Sequence, residues 1–357
     1  MSRRIINCVD LFAGAGGFSL AAKEAGLRVE AAVEFNAKAC KTYRLNLVRH
    51  KGTRLYEADI LKLDPSKLTA RHFSSGKTCD VVLGGPPCQG FSVHRINGAG
   101  IGDPRNQLVH RYFDFVQELR PKIFLMENVP GILWDRHKSF LTEFYQSGID
   151  AGYSLKPPII LDARDYGVPQ RRKRVFILGV RDDVPLNLSW PPEPTHGNSQ
   201  AITLNPLLKP WVAAATVFKT PTRLDDPNNI HMKHSDQLIE VFRATPINGG
   251  SRSQSGRTLK CHKSHDGHTD VYGRIDPNVP GPTMTTACIN PSKGRFVHPT
   301  KHHGITVRQA ARFQTFPDSF IFEGGLMAAG EQIGNAVPVE LGKALLLHLK
   351  RALSAVD

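Results

Sequence analysis

Ile5-Ile6-Asn7-Cys8-Val9-Asp10-Leu11-Phe12-Ala13-Gly14-Ala15-Gly16-Gly17 sets the architecture of this chain. An apolar run ends in a glycine cluster, and Phe18 to Leu27 then carries helix-forming composition closed by Gly26. Strand, glycine turn and helix open an α/β domain, and bare amides at the helix N-terminus suit a nucleotide-type cofactor. Many such turns bind nothing, so the weight falls on the next two strands. Val29 to Phe35 reads as a second strand ending in Glu34. That acid lies about 20 residues past the glycines, where a carboxylate can hold ribose hydroxyls. A third strand, Leu55 to Ile60, puts Asp59 at its carboxyl end. A glycine turn, a Glu and an Asp on successive strand ends predict a site for an adenosine-bearing cofactor. The glycine loop has no Lys-Ser/Thr, so it is not a P-loop.

Further along the chain, Cys79-Asp80-Val81-Val82-Leu83 has the look of a buried parallel strand, and Gly84-Gly85-Pro86-Pro87-Cys88-Gln89-Gly90-Phe91-Ser92 follows it. Cys88 therefore stands just past a strand's carboxyl end, where open α/β sheets place their chemistry. The prolines stiffen the approach by fixing φ, and the glycines let backbone or ligand come close. A rigid turn presenting one thiol suits a nucleophile; a buried structural cysteine is the plainer reading. The polar run from His94 to Arg105 reads as a lid or a solvated loop. Asn106 to Leu119 is an amphipathic helix, and Lys122 to Met126 is a strand with Glu127-Asn128-Val129 at its end. Glu127 should be half-desolvated there, which favours a retained proton and suits proton donation. Gln170-Arg171-Arg172-Lys173-Arg174 runs into the strand Val175 to Val180. Alternation puts Arg172 and Arg174 on one side, either as a basic surface turn or as a guanidinium pair aimed at the active cleft.

The bulk properties limit the partners. With 40% hydrophobic and 22% charged residues over 357 positions, the chain suits one large domain and a smaller one. Its 46 basic against 32 acidic residues give a net charge of +14, as expected of a protein that approaches polyphosphate. No apolar run approaches the roughly 18 residues of a membrane span, and the start lacks a signal-peptide plan. A cytoplasmic protein with no membrane partner is expected. The 6 cysteines are scattered without a C-x-x-C pair, which argues for reduced thiols. Cys261-His262-Lys263-Ser264-His265-Asp266-Gly267-His268 matches no two-pair zinc spacing, so no metal site is expected.

Taken together, these blocks resemble the DNA (cytosine-5) methyltransferase family. The resemblance rests on Asp10–Phe18, Glu34, Ala58-Asp59-Ile60, Gly85–Ser92, Glu127-Asn128-Val129, Gln170–Arg174 and Gly334-Asn335-Ala336-Val337-Pro338. The blocks keep the family's order and span nearly the whole chain. The resemblance implies a Rossmann-like, mostly parallel α/β sheet of the SAM-dependent methyltransferase type (1–185 with 330–357). A smaller, irregular, β-rich domain (186–329) would contain a target-recognition region near 190–272. Tyr272-Gly273-Arg274 and Gly281–Thr286 would prop that region up.

The implied cofactor is S-adenosyl-L-methionine, released as S-adenosyl-L-homocysteine. Phe12, Gly14, Gly16 and Gly17 would line its methionine side, and Glu34 would hold the ribose. Phe35 and Ile60 would face the adenine, and Asp59 would take its amino group. Pro86, Leu108 and Asn335 would complete the pocket. The implied catalytic set is Cys88, Glu127, Arg172 and Arg174. Cytosine carbon 5 is a weak nucleophile until a thiolate, here Cys88, adds at carbon 6. Glu127 would serve N3, while Arg172, with Arg174, would hold O2 and favour the thiolate. The base would be flipped from a duplex. Gln89, Ser92, Arg95, Arg105, Arg252, Arg257 and Lys260 are the candidate DNA contacts, with Arg243 beside them. Double-stranded DNA is the expected partner, the expected protein is a monomer, and a cognate restriction endonuclease would act separately. An RNA cytosine-5 methyltransferase and a non-catalytic DNA binder are the alternatives. The binder has no use for Cys88, Glu127 and Arg172 together.

Overall fold

The computed structural model describes residues 4–48, 52–74, 76–86, 107–186, 188–256 and 270–355. The chain forms two compact units. The first comprises residues 1–162, 173–193 and 341–357, and the second 163–172 with 194–340. These borders differ from the expected 1–185 with 330–357, because 163–172 and 330–340 make their contacts within the second unit.

In the first unit the strands are β1 (Asn7–Leu11), β2 (Arg28–Glu34), β3 (Arg54–Glu57), β4 (Val81–Gly84), β5 (Ile123–Asn128), β6 (Tyr153–Leu155), β7 (Ile159–Asp162) and β8 (Lys173–Arg181). They build one 8-stranded sheet ordered β3-β2-β1-β4-β5-β8-β6, with β7 also paired to β8. The first five run parallel; β8 lies antiparallel to β5, β6 and β7. Chain order reverses between β1 and β4, so the switch point lies where Leu11 pairs with Gly84. β1, β4 and β5 are buried throughout, as strands covered on both faces must be.

Between the strands run α1 (Gly17–Glu24), α2 (Ala37–Tyr43), α3 (Ser66–His72), α4 (Gln107–Leu119) and α5 (Lys138–Asp150). α4 turns Val109, Tyr112, Phe113 and Val116 inward, at helical spacing, and each such side chain contributes roughly 1.5–3 kcal/mol. Phe124 on β5 meets Phe113 and Phe144 edge-on, with ring centres 5.9 and 6.2 Å away. The C-terminal helix, Val339–Ser354, returns to the start of the sheet. Its Lys350 ammonium donates to the carbonyls of Ala25 and Gly26 at 2.9 and 3.0 Å, in the turn just past α1.

Two expected boundaries shift for local reasons. The third strand stops at Glu57 rather than Ile60, because Asp59 Oδ1 accepts from the Leu61 amide at 3.0 Å and turns the chain. Glu127 belongs to β5 itself, paired opposite Phe176, rather than following it.

The second unit contains β9 (His196–Gly197), α6 (Ser199–Leu204), β10 (Lys209–Pro210), α7 (Ala215–Lys219), α8 (Asp236–Ala244), α9 (Val307–Phe313) and α10 (Gly325–Asn335). Among its described residues, β structure is confined to the β9–β10 pair and isolated bridges such as Arg274–Val297. Buried arginines take over the work of a sheet. Arg274 donates to the carbonyls of Phe242, Thr245, His298 and Lys301, at 2.6 to 3.1 Å. Arg308 forks onto Asp226 at 2.6 and 3.0 Å and reaches the Phe320 carbonyl. Irregular backbone must be satisfied somehow, and a five-donor guanidinium does it compactly.

Candidate active site

The site of the first unit lies along the carboxyl ends of β1, β2, β3, β4 and β5. After β1 the chain enters the left-handed region at Phe12 (φ 57°), Gly14 (55°) and Gly16 (100°) before α1 begins. α1 has no side-chain N-cap, and the Ser19 amide in its first turn is bonded to the Asp10 carboxylate. Glu34, at the end of β2, faces this turn. Its Oε2 accepts from the Gly14 amide at 2.8 Å and its Oε1 from the Asn36 amide at 2.7 Å. A carboxylate has about four lone-pair directions, so capacity remains for two hydroxyls. Asn36 in turn caps α2 through the amides of Lys38 and Ala39. Phe35 is 73% exposed, unusual for so large an apolar ring. Ile60 is buried beside the turn made by Asp59.

A Cβ on Gly14 would meet nothing within 4 Å, so the turn is open on that side. One on Gly16 would stand 2.3 Å from Leu47 Cδ1 and 3.0 Å from the Tyr43 ring. Open backbone, a carboxylate facing it and an exposed ring fit a nucleoside-bearing cofactor, which Phe12, Gly14, Gly16, Gly17, Glu34, Phe35, Asp59 and Ile60 could hold. Leu108 is half-buried on α4, against the core.

The second half of this site is acidic and basic at once. Glu127 is 8% exposed, and its Oε1 lies 2.9 Å from Arg174 Nε on the neighbouring strand β8. Burial pulls the Arg174 pKa down while Glu127 pushes it back up. Gly85 lies against the same carboxylate: a Cβ there would come within 3.2 Å of Glu127 Oε2. Asn128 donates from Nδ2 to the Pro86 carbonyl at 3.3 Å, and its Oδ1 accepts from the Val129 amide. The buried Pro86 and the β5 edge are thus tied together just before the segment that holds Cys88.

Arg172 folds with the second unit, where it is 1% exposed. There it donates to the carbonyls of Met284 (2.8 Å), Gly334 (2.7 Å) and Ala336 (3.0 Å). These three carbonyls tie it to the turn around Asn335, which is itself exposed at the end of α10. The adjacent Gln170 does similar work, reaching the Phe313 carbonyl and the Gln314 side chain.

Cys88, Gln89, Ser92, Arg95, Arg105, Arg257 and Lys260 lie outside the described residues, as does the segment 261–268. Of the other DNA candidates, Arg252 is half-buried in a short 3-10 turn, and Arg243 is exposed and paired with Glu240 at 2.6 Å. The described cysteines, Cys8, Cys40, Cys79 and Cys288, are all buried. Burial pushes each thiol up, Cys40 and Cys288 to about 12. None of these has the character of a nucleophile.

Sequence reading missed a buried polar chain beneath the glycine turn. Tyr43 Oη donates to Ser19 Oγ at 2.7 Å, and Ser19 Oγ donates to Asp10 Oδ2 at 2.5 Å. Burial pushes the Asp10 carboxyl up to about 7 against the pull of Ser19. A lone Asp at a strand end was the signal available, but its partners lie on two different helices.

Comparison with known proteins gives the family. The family model described as C-5 cytosine-specific DNA methylase matches residues 6–351. Type II methyltransferase M1.HphI of Haemophilus parahaemolyticus is 32% identical over 97% of this chain and 88% of its own length. Type II methyltransferase M.Eco47II of Escherichia coli is 32% identical over 98% of this chain and 80% of its own. Among solved structures, an Escherichia coli prophage protein described as a DNA modification methyltransferase superposes with a TM-score of 0.74. It is 26% identical and covers 98% of this chain and 99% of its own. The chain therefore belongs to the C-5 cytosine-specific DNA methylase family and is a DNA (cytosine-5) methyltransferase.

Proposed function

We propose that the enzyme methylates carbon 5 of cytosine within one short sequence of double-stranded DNA, with S-adenosylmethionine as the donor. The protein would serve as the protective half of a restriction–modification pair, as the names of its Type II relatives suggest. The observation that carries the chemistry is the buried Glu127–Arg174 pair beside Gly85. A carboxyl group held there can share a proton with N3 of a flipped cytosine, and the Arg174 guanidinium keeps it oriented and can face O2. Cys88, three residues beyond Gly85, is the nucleophile that adds to carbon 6 and is expelled once carbon 5 has been methylated and deprotonated. S-adenosylmethionine, when bound, supplies the methyl group. Glu34 binds the ribose, Phe35 and Ile60 flank the adenine, and the glycine turn accommodates the amino-acid end.

Duplexes carrying 5-fluorocytosine at varied positions test the proposal, because fluorine cannot leave as a proton does. Incubation with S-adenosylmethionine should give a covalent protein–DNA adduct at Cys88, absent in Cys88→Ser. Adducts with RNA alone, or with no DNA, would overturn it.

A further inference from the structure

The polar chain from Tyr43 to Asp10 is buried, with Asp10 at 1%, Ser19 at 2% and Tyr43 at 0% exposure. Neither end reaches solvent, yet it joins the elements that carry the two halves of the cofactor cradle. Ser19 lies in the first turn of α1, directly after the glycine turn, and Tyr43 is the last residue of α2, whose cap Asn36 is bound to Glu34. The Tyr43 ring packs against Gly16, so ring and hydroxyl hold the same turn from below. From above, Glu34 holds Gly14. That upper tether must share its acceptor with any ribose that binds, whereas the lower one meets no ligand.

We infer that Tyr43, acting through Ser19 and Asp10, is a positioning residue that keeps the glycine turn in register with Glu34 for cofactor binding, an inference that rests on the proposed use of S-adenosylmethionine. With the lower tether cut, the turn keeps its bond to Glu34 but loses its brace from below, and it must be ordered when the cofactor binds. The loss falls on cofactor affinity; the proposed chemistry of Glu127, at the end of β5, is unaffected.

The test compares Tyr43→Phe, Ser19→Ala, the double variant and Ser19→Thr with wild type. Each is assayed for S-adenosylmethionine Kd and KM, KM for duplex DNA, kcat at saturation and Tm. Each single loss variant should bind the cofactor about tenfold more weakly, as expected when one buried hydrogen bond is lost. Their kcat and DNA KM should stay within about twofold of wild type, and Ser19→Thr, which keeps the hydroxyl, should restore affinity. The double variant should be little worse than either single, because both cut one chain. Unchanged cofactor affinity in both singles overturns the inference. So does a joint decline of kcat, both KM values and Tm, which is the mark of general destabilisation. A wild type that does not bind S-adenosylmethionine removes the functional reading and this one with it; a wild type that binds while the variants bind equally removes only this one.

Discussion

Arg174 on β8 and Glu127 on β5 form a buried ion pair, Nε to Oε1 at 2.9 Å, across two antiparallel strands. Side chains on adjacent strands stay in register without help from a loop, so the acid is held where the sheet puts it. Glu127→Gln keeps the shape and removes the ionisable proton. Its kcat should fall by about 10²–10⁴-fold, the usual worth of a general acid, with cofactor Kd unchanged. Single-turnover methyl transfer from labelled cofactor reads both.

Arg174→Ala should be worse than the loss of one contact, because it strands a carboxylate in a site of low exposure. Breaking a buried pair costs about 3–5 kcal/mol of stability. Denaturant unfolding checks the loss. Arg174→Lys should rescue only part of the activity, since an ammonium cannot reproduce the planar fork.

Gly85→Ala places a methyl 3.2 Å from Glu127 Oε2, so the carboxylate must give way by a few tenths of an ångström. Displacements of this kind cost rate before they cost fold. We expect kcat to fall about tenfold with a Tm shift of only a few degrees, measured at saturating substrates.

Arg172→Lys separates structure from chemistry. Three carbonyls, of Met284, Gly334 and Ala336, lose a common donor group. Leaving buried acceptors unsatisfied costs about 1–3 kcal/mol each at most, so the urea midpoint should drop clearly. At low temperature, where the variant remains folded, kcat should survive better than in Arg174→Lys.

Acid should weaken the second unit through His298 and His303. Burial holds both neutral, lowering His298 to about 3 and His303 to about 4 from an ordinary 6.5. His303 also stacks on His231 with ring centres 3.9 Å apart. The folded pKa values lie below the unfolded one, so the unfolded chain takes up more protons between them. Stability should therefore be level above about pH 6.5 and decline as pH falls toward 4. Urea midpoints across that range measure the slope, and a flat profile would contradict this assignment.

The parallel core was legible because its strands are short apolar runs that end in glycine or acid, a pattern set by burial on both faces. Glu34 and Glu127 were legible for the same reason: a carboxylate ending an apolar run has few reasons to be there. Arg172 and Arg174 were not separable, since alternation places two residues on one side of a strand only when both lie in it. Arg172 precedes β8 and folds with the second unit, where its partners lie more than a hundred residues downstream. Tyr43 was invisible for a related reason. A tyrosine at the end of a helix looks like any core aromatic until Ser19 appears beside its hydroxyl.

Lys350 closes the end of α1 from the far end of the chain, and its helix completes the first unit. During synthesis this helix is the last element to emerge, so its contact beside α1 is made late. The whole second unit is translated before then. The helix that follows the glycine turn therefore gains its carboxyl-side partner only after the second unit has been made.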